Sequence, residues 1–374
     1  MTESKKKKIP RAVKALIAVI CVIAVFAAGE IISMGYRSDS EDVIAYETDN
    51  PFVASDGNTQ ISAHRSGGGI MPEETMMAFK NCAENENFTV DWFEFDLHIT
   101  KDNVLVLLHD DTLDRTSDSE TVFGEKEIRP EDKTYEELRM LNMGAKFENE
   151  NGEMPYADLR GEEVPDDLKI VRVEEVLDYL EDVGGGTYNY IIEIKNGEEL
   201  GKKALDVLYT ILEEKDLLDR VIFGTFKEEV SIHADENYPN LYRSATINEV
   251  LEFYSAVLRN DDNFEANYIA LQIPYSMPYR MIANLGTAQV INYAHEHGIA
   301  VQYCKKSRRN RRRLSRQTHT TNSRIPQATI LLNRRMPHKH RPIQAKILCR
   351  QQSPTASTGK QSAVRSVRSL RLSL

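Results

Sequence analysis

The sequence predicts a parallel α/β barrel of the (β/α)8 type, a TIM-like fold, on three observations. Short apolar runs alternate with segments of helical period along most of the chain, the pattern of strands joined by crossover helices. Several runs end in histidine, arginine or carboxylate residues, and such barrels collect their chemistry at strand ends. An open doubly wound sheet is the alternative. It would normally carry a glycine fingerprint between strand and helix, and none is present.

In chain order, the N-terminus comes first. Lys5, Lys6, Lys7, Lys8, Arg11 and Lys14 precede an apolar run at 15–29, which Ile31, Ile32 and Met34 extend past Glu30. Counted over 12–34 it is about 23 residues, long enough to cross a bilayer. Residues 1–35 are therefore expected to be a cytoplasmic basic flank and a transmembrane anchor. The basic flank holds the N-terminus inside, so the chain would be a single-pass protein of the cell membrane with its barrel extracytoplasmic. A cleaved signal peptide ending near Ala27-Ala28-Gly29 is the rival reading. Residues 36–59 are polar and acidic and read as a linker.

The barrel is expected over 60–304. Strand-like runs lie at 61–63, 92–97, 104–108, 190–194, 221–223, 241–247 (weak), 268–273 and 299–303. Helical periodicity falls at 75–84, 135–141, 173–180, 200–215, 248–258 and 287–296. Between the third and fourth runs, about 117–167 is acidic and rich in Gly, Pro and Asn. It reads as an insertion or lid, because loops of that length in compact domains usually have a function or lack order.

After Tyr303 the pattern breaks. The chain has 47 Lys+Arg and 58 Asp+Glu; 19 of the basic residues and none of the acidic ones lie in 305–374, which leaves 28 basic against 58 acidic residues in 1–304. An acidic body and a basic tail are separate objects. Residues 305–374 carry little apolar periodicity and read as a disordered tail, with the look of translation in another frame. The last helix of the barrel is then missing or altered. A basic tail that contacts an anionic polymer or lipid is the alternative. The four cysteines, Cys21, Cys82, Cys304 and Cys349, show no zinc or disulfide spacing.

The chemistry-bearing residues fall into blocks: His64-Arg65-Ser66-Gly67-Gly68-Gly69, Pro72-Glu73-Glu74-Thr75, Glu94-x-Asp96, His109-Asp110, Leu113-x-Arg115-Thr116 and Glu193-x-Lys195. Two histidines, an arginine and paired carboxylates suit phosphodiester cleavage with a hard metal ion. In their number and order the blocks resemble the glycerophosphodiester phosphodiesterase family over about residues 60–303. The family pattern is closer to His-Arg-Gly and Pro-Glu-Asn-Thr, so Ser66 and Glu74 depart from it. A Trp-Thr-Val-Asn-like segment after the last strand is absent, and Trp92 is the single tryptophan.

The resemblance implies a (β/α) barrel that hydrolyses glycerophosphodiesters to glycerol 3-phosphate and an alcohol with a divalent cation, Ca²⁺ or Mg²⁺. It assigns Glu94, Asp96 and Glu193 to the metal, His64 and His109 to general acid/base catalysis, and Arg65 to the phosphate. Elementary chemistry agrees. Glu94 and Asp96 are two apart on a strand and share a face, and an all-oxygen set suits Ca²⁺ or Mg²⁺. Imidazole titrates near neutrality, and a guanidinium can hold two phosphate oxygens. Lys195 shares the face of Glu193 and would add positive charge for the substrate.

A solvated acidic face and structural imidazoles are the plainer alternatives. His98 shares the face of Glu94 and Asp96 but has no place in the family pattern, and reads as a residue without a role. Asp110 and Asp102 read as orienting or turn residues; Gln272 and Tyr275 are candidates for the pocket rim. The expected partners are a small glycerophosphodiester or a glycerol-phosphate polymer, and the membrane through the N-terminal helix; nucleic acid is not expected. The competing functions are a catalytically inactive anchored binding protein or damaged gene product, and a sphingomyelinase-like phospholipase.

Overall fold

A computed structural model describes residues 11–35, 43–53, 60–149, 151–274, 285–305 and 329–332. The basic residues before 11, positions 36–42 and 54–59 of the expected linker, Tyr275, and 306–328 and 333–374 of the expected tail lie outside the described residues.

Helix α1 (Arg11–Gly35) comes first. Its described side chains include Leu16, Ile17, Val19, Ile20, Val22, Ile23, Val25 and Phe26, each between 47% and 72% exposed. Among the described residues no helix is long and apolar enough to cross a membrane, and 11, 12, 15, 18, 27 and 30–35 of α1 have side chains outside that description.

The remaining elements are β1 (Ile61–Ala63), α2 (Met76–Ala83), β2 (Trp92–Ile99), β3 (Leu105–Leu107), α3 (Ser119–Phe123), α4 (Tyr135–Leu138), α5 (Val173–Gly184), β4 (Asn189–Ile194), α6 (Glu198–Glu214), β5 (Val221–Gly224), α7 (Glu228–Asn237), α8 (Ile247–Arg259), β6 (Ala270–Pro274), α9 (Ala288–Glu296), β7 (Ala300–Lys305) and β8 (Thr329–Leu332). The helices begin and end where local chemistry says they should. Thr75, Thr246 and Thr287 each cap a helix N-terminus with the side-chain oxygen. Gly185 and Asn260 stop α5 and α8 in the left-handed conformation. In α5, Val173, Val176, Leu177 and Leu180 are buried on one face, the spacing of an amphipathic helix.

Strand pairing runs in a ring. β1 pairs β2, β2 pairs β4 and β4 pairs β5, all parallel. Two single parallel bridges, Phe223 to Arg243 and Ser244 to Ala270, carry the ring to β6. β6 pairs β7, β7 pairs β8 and β8 returns to β1. The α/β barrel thus has its eight positions in chain order, but three expectations need correction. The run at 104–108 is not a barrel strand: β3 lies antiparallel on the outer half of β2, so the insertion begins after the second barrel strand and not after the third. The weak run at 241–247 contributes only the bridges at Arg243 and Ser244. The run at 299–303 fills the seventh position, and the eighth is β8, inside the segment expected to be a disordered tail.

Two further segments are held by packing. Residues 43–53 of the linker pack under the barrel. Phe52 meets Trp92 and Tyr242 with ring centroids 5.3 Å apart, and Asn50 Nδ2 donates to Ile269 O at 2.8 Å and Gly298 O at 2.7 Å. The insertion has its own small core of Val106, Leu108, Leu113, Ile128, Leu138, Leu141, Met143 and Ile170, a reason for it to hold one shape.

β2 organises the barrel because its period of two separates two environments. Phe93, Phe95, Leu97 and Ile99 face outward into the main apolar cluster with Phe79, Leu177, Leu180 and Leu208 of the helices. The other face begins with Trp92, which joins Phe52, Ile191, Ile222, Ala270 and Ala300 in an apolar floor. Above that floor the same face carries Glu94, Asp96 and His98, all buried.

Candidate active site

The carboxylates come from neighbouring strands in register: Asp96 of β2 pairs with Glu193 of β4, and Glu94 lies one inward step below Asp96. Lys195 Nζ stands between the two partners, 2.8 Å from Asp96 Oδ1 and 2.7 Å from Glu193 Oε1. At the end of β1 the chain turns sharply through Arg65 (φ 49°), Ser66 (φ 59°) and Gly67 (φ 89°). That left-handed turn, costly for non-glycine residues, aims the Arg65 backbone N–H at Glu94 Oε2, 2.7 Å away. It also sets His64 Nε2 at 3.9 Å from the same oxygen. A β-carbon on Gly67 would lie 2.3 Å from Cys82 Sγ, so the turn packs too closely against α2 for any other residue.

His109 arrives from the insertion and not from a barrel strand. β3 runs back down β2, and Leu108 N donates to Asp96 O at 3.0 Å, which delivers His109 to the level of Asp96. Its Nδ1 is 2.7 Å from Asp110 Oδ1. Arg115 holds Asp110 in turn and reaches Glu73 Oε1 at 2.5 Å. Glu73 also takes a bond from Arg65 Nη1 at 3.1 Å. A continuous polar chain therefore joins the histidine to the arginine. A cavity of about 400 Å³ opens beside His109, Asp110, Glu193 and Lys195, with Phe226 and Lys227 on its rim.

All seven residues singled out for the site are thus brought to one end of the barrel. His64, Arg65, Glu94, Asp96, Glu193 and Lys195 form one contact network. His109 joins it across the cavity wall. Gln272 faces Gln302 inside the barrel, 3.1 Å away. His98 is buried and neither ring nitrogen has a hydrogen-bond partner; burial pushes its pKa down to about 4, so it is a neutral interior group. The single tryptophan closes the floor at the opposite end. Glu73 and Arg115 were missed as a bridge. Both stand inside the sequence blocks, but their pairing depends on how two loops meet.

Burial dominates the electrostatics. It pushes Glu94 up to about 8, aided by Asp96 and opposed by the Arg65 N–H and Lys195. Burial and Asp96 push Glu193 up to about 7 against Lys195. For Asp96 burial acts upward, yet Lys195, His109 and Arg65 outweigh it and hold the carboxyl below its usual range. Burial lowers His109, partly offset by Asp96. Lys195 is raised, because Asp96 and Glu193 overcome the effect of burial. The site therefore has one firmly ionised aspartate, one firmly charged lysine, and three buried glutamates, Glu74, Glu94 and Glu193, that burial pushes above the usual carboxylate range.

Among the described residues no three acidic, histidine or cysteine groups converge tightly enough to hold a metal ion as they stand; Lys195 occupies the space between two of them. The donors nonetheless fit a hard cation in kind. They are carboxylate oxygens on adjacent strands, the kind of donor a hard cation takes.

Residues 64–305 match the model of the glycerophosphoryl diester phosphodiesterase family. A glycerophosphodiester phosphodiesterase of Caldanaerobacter subterraneus subsp. tengcongensis is 32% identical over 168 residues, 45% of this chain and 58% of that protein. One from Bacillus subtilis is 28% identical over 184 residues, 48% of this chain and 56% of that protein. The chain thus spans somewhat more than half the length of these relatives. The glycerophosphoryl diester phosphodiesterase domain of a Mycobacterium tuberculosis protein aligns with a TM-score of 0.51 at 17% identity, over 66% of this chain and 88% of that one, which supports the fold.

Proposed function

The chain belongs to the glycerophosphoryl diester phosphodiesterase family, and from that membership we propose that it hydrolyses small glycerophosphodiesters to glycerol 3-phosphate and an alcohol. The observation that carries this reading is the meeting of His64, Arg65, Glu94, Asp96, His109, Glu193 and Lys195 at one barrel end.

Arg65 and Lys195 bind the phosphate. Glu73 holds the guanidinium from one side at 3.1 Å, which keeps its remaining donors directed at the substrate. One imidazole takes the proton from the attacking oxygen, of water or of the substrate's own glycerol; in the latter case the product is a cyclic phosphate, which a water molecule then opens to glycerol 3-phosphate with the same pair of imidazoles. The other gives a proton to the alcohol oxygen as its bond to phosphorus breaks. Asp110 fixes His109 through Nδ1 and leaves Nε2 for that transfer. Glu94, Asp96 and Glu193 would hold a Ca²⁺ or Mg²⁺ ion. When bound, the cation supplies Lewis-acid charge that stabilises the phosphoryl oxygens. The basic flank and the apolar run at 15–29 of the sequence support an anchor in the cell membrane, with the barrel on the extracytoplasmic side.

The test is glycerol 3-phosphate release from glycerophosphocholine by the full chain, with Ca²⁺, Mg²⁺ or EDTA. Release that EDTA abolishes supports the reading. A folded chain that releases nothing with either cation refutes it and favours a binding role. Resistance to carbonate extraction checks the anchor, and release into the soluble fraction would remove it.

A further inference from the structure

The catalytic reading uses one side of the barrel interior and leaves the other unassigned. Ile191, Ile222, Ala270 and Ala300 belong to the apolar floor. One inward step above them, by the strand period of two, stand Glu193 of β4, Gly224 of β5, Gln272 of β6 and Gln302 of β7. Glu193 pairs with Gly224, and Gln272 with Gln302, in parallel register. The layer that holds the Glu193 carboxylate therefore continues round the wall as a pair of carboxamides.

Gln302 is 1% exposed. Its Oε1 accepts from Gln272 Nε2 at 3.1 Å, but its own Nε2 has no hydrogen-bond partner among the described residues. A buried N–H left unpaired costs stability, and an apolar side chain of the same shape would avoid that cost. Gln272 is partly exposed, so the pair is not sealed from solvent. Gly224 keeps the space before it open: a β-carbon there would lie 3.2 Å from both Gln272 Oε1 and Ser244 Oγ. The space beside Glu193 is thus lined by uncharged donors and acceptors.

We infer that Gln272 and Gln302 form a hydroxyl-binding subsite, which holds the glycerol of the diester by its terminal hydroxyl. The inference rests on the functional reading above. A carboxamide both donates and accepts, which matches a hydroxyl. It does not match a phosphodiester, which accepts only, or a trimethylammonium group, which does neither. Glycerol is the part common to all such diesters and suits the closed interior. The variable alcohol then lies in the cavity beside His109 and Phe226.

The experiment compares kcat/KM for glycerophosphocholine with that for an analogue built on propane-1,2-diol, which lacks the terminal hydroxyl. It uses the full chain and its Gln302→Met and Gln272→Leu variants. The analogue keeps the middle hydroxyl, so attack by the substrate's own oxygen stays open. The parent should prefer glycerophosphocholine by about tenfold or more, and each variant by about threefold or less. A pair kept for structure alone would change the rates on both substrates and leave their ratio as it was. Should Gln302→Met fail to fold, Gln272→Leu decides, since its side chain is partly exposed. A parent without the preference, or a folded variant that keeps it at whatever rate, overturns the subsite alone. A parent that hydrolyses neither diester overturns the functional reading and the subsite with it.

Discussion

Lys195→Met removes the ammonium that separates Asp96 from Glu193 and keeps much of the side chain's volume. The two contacts are 2.8 and 2.7 Å, and Asp96 is 1% exposed. Each is worth about 6 kcal/mol in gross Coulomb energy at an effective dielectric constant of about 20. Desolvation of the lysine offsets much of this. The net cost of deleting one partner from a buried pair is about 3–5 kcal/mol, or about 6–20 °C in melting temperature for a domain of this size. The loss should depend on pH. Glu193 and Glu94 are pushed up to about 7 and about 8 in the fold. A carboxyl raised by folding stabilises while protonated, so that contribution is complete below about pH 4.5 and is lost as pH rises through 7 to 8. Lys195 restrains this rise. Without it the deficit relative to the parent grows from pH 5 to pH 8. Urea and thermal melts in EDTA at both pH values measure it. A variant as stable as the parent at pH 8, or one with equal deficits at pH 5 and pH 8, would show that the ammonium does not hold the carboxylates together.

Two other substitutions probe the frame around the site. Gly67→Ala places a β-carbon 2.3 Å from Cys82 Sγ at φ 89° and should cost about 2–5 kcal/mol. Adding Cys82→Ala should recover the steric part in thermal melts, and no recovery would mean that the clash is not the cause. Arg243 is 4% exposed and grips Asp235 and Glu249 with two bonds each where the barrel passes from β5 to β6. Arg243→Met should cost about 2 kcal/mol in urea unfolding, less than for a sealed pair because Asp235 and Glu249 can rehydrate. An unchanged midpoint would dismiss the clamp.

What the sequence disclosed and what it withheld follow from the range of the interactions. Alternation along 92–97 separates Phe93 and Phe95 from Glu94 and Asp96 without reference to any other segment. Glu193 and Lys195 follow by the same period. Six of the seven candidate residues lie on or just beyond parallel strands, a local signal; His109 follows antiparallel β3, and the family resemblance pointed to it. Strand direction is not local: an apolar run reads the same way up or down, so β3 passed for a barrel strand. Thr329–Leu332 is four residues in a basic stretch, and its membership of the ring depends on the edges that β1 and β7 leave open. The polar segment 43–53 reads as a linker because its anchors, Phe52 and Asn50, gain their partners only once the barrel floor exists. The Glu73 bridge between Arg65 and Arg115 depends in the same way on two loops that meet.

The most direct measurement is phosphorus-31 NMR of glycerophosphocholine incubated with the full chain and Ca²⁺, beside the His64→Gln/His109→Gln double variant. The account predicts that the diester signal is replaced by that of glycerol 3-phosphate with the parent and persists with the double variant, each imidazole being worth about 10²–10⁴ in rate. Phosphocholine as the product, or equal turnover by the double variant, would contradict it.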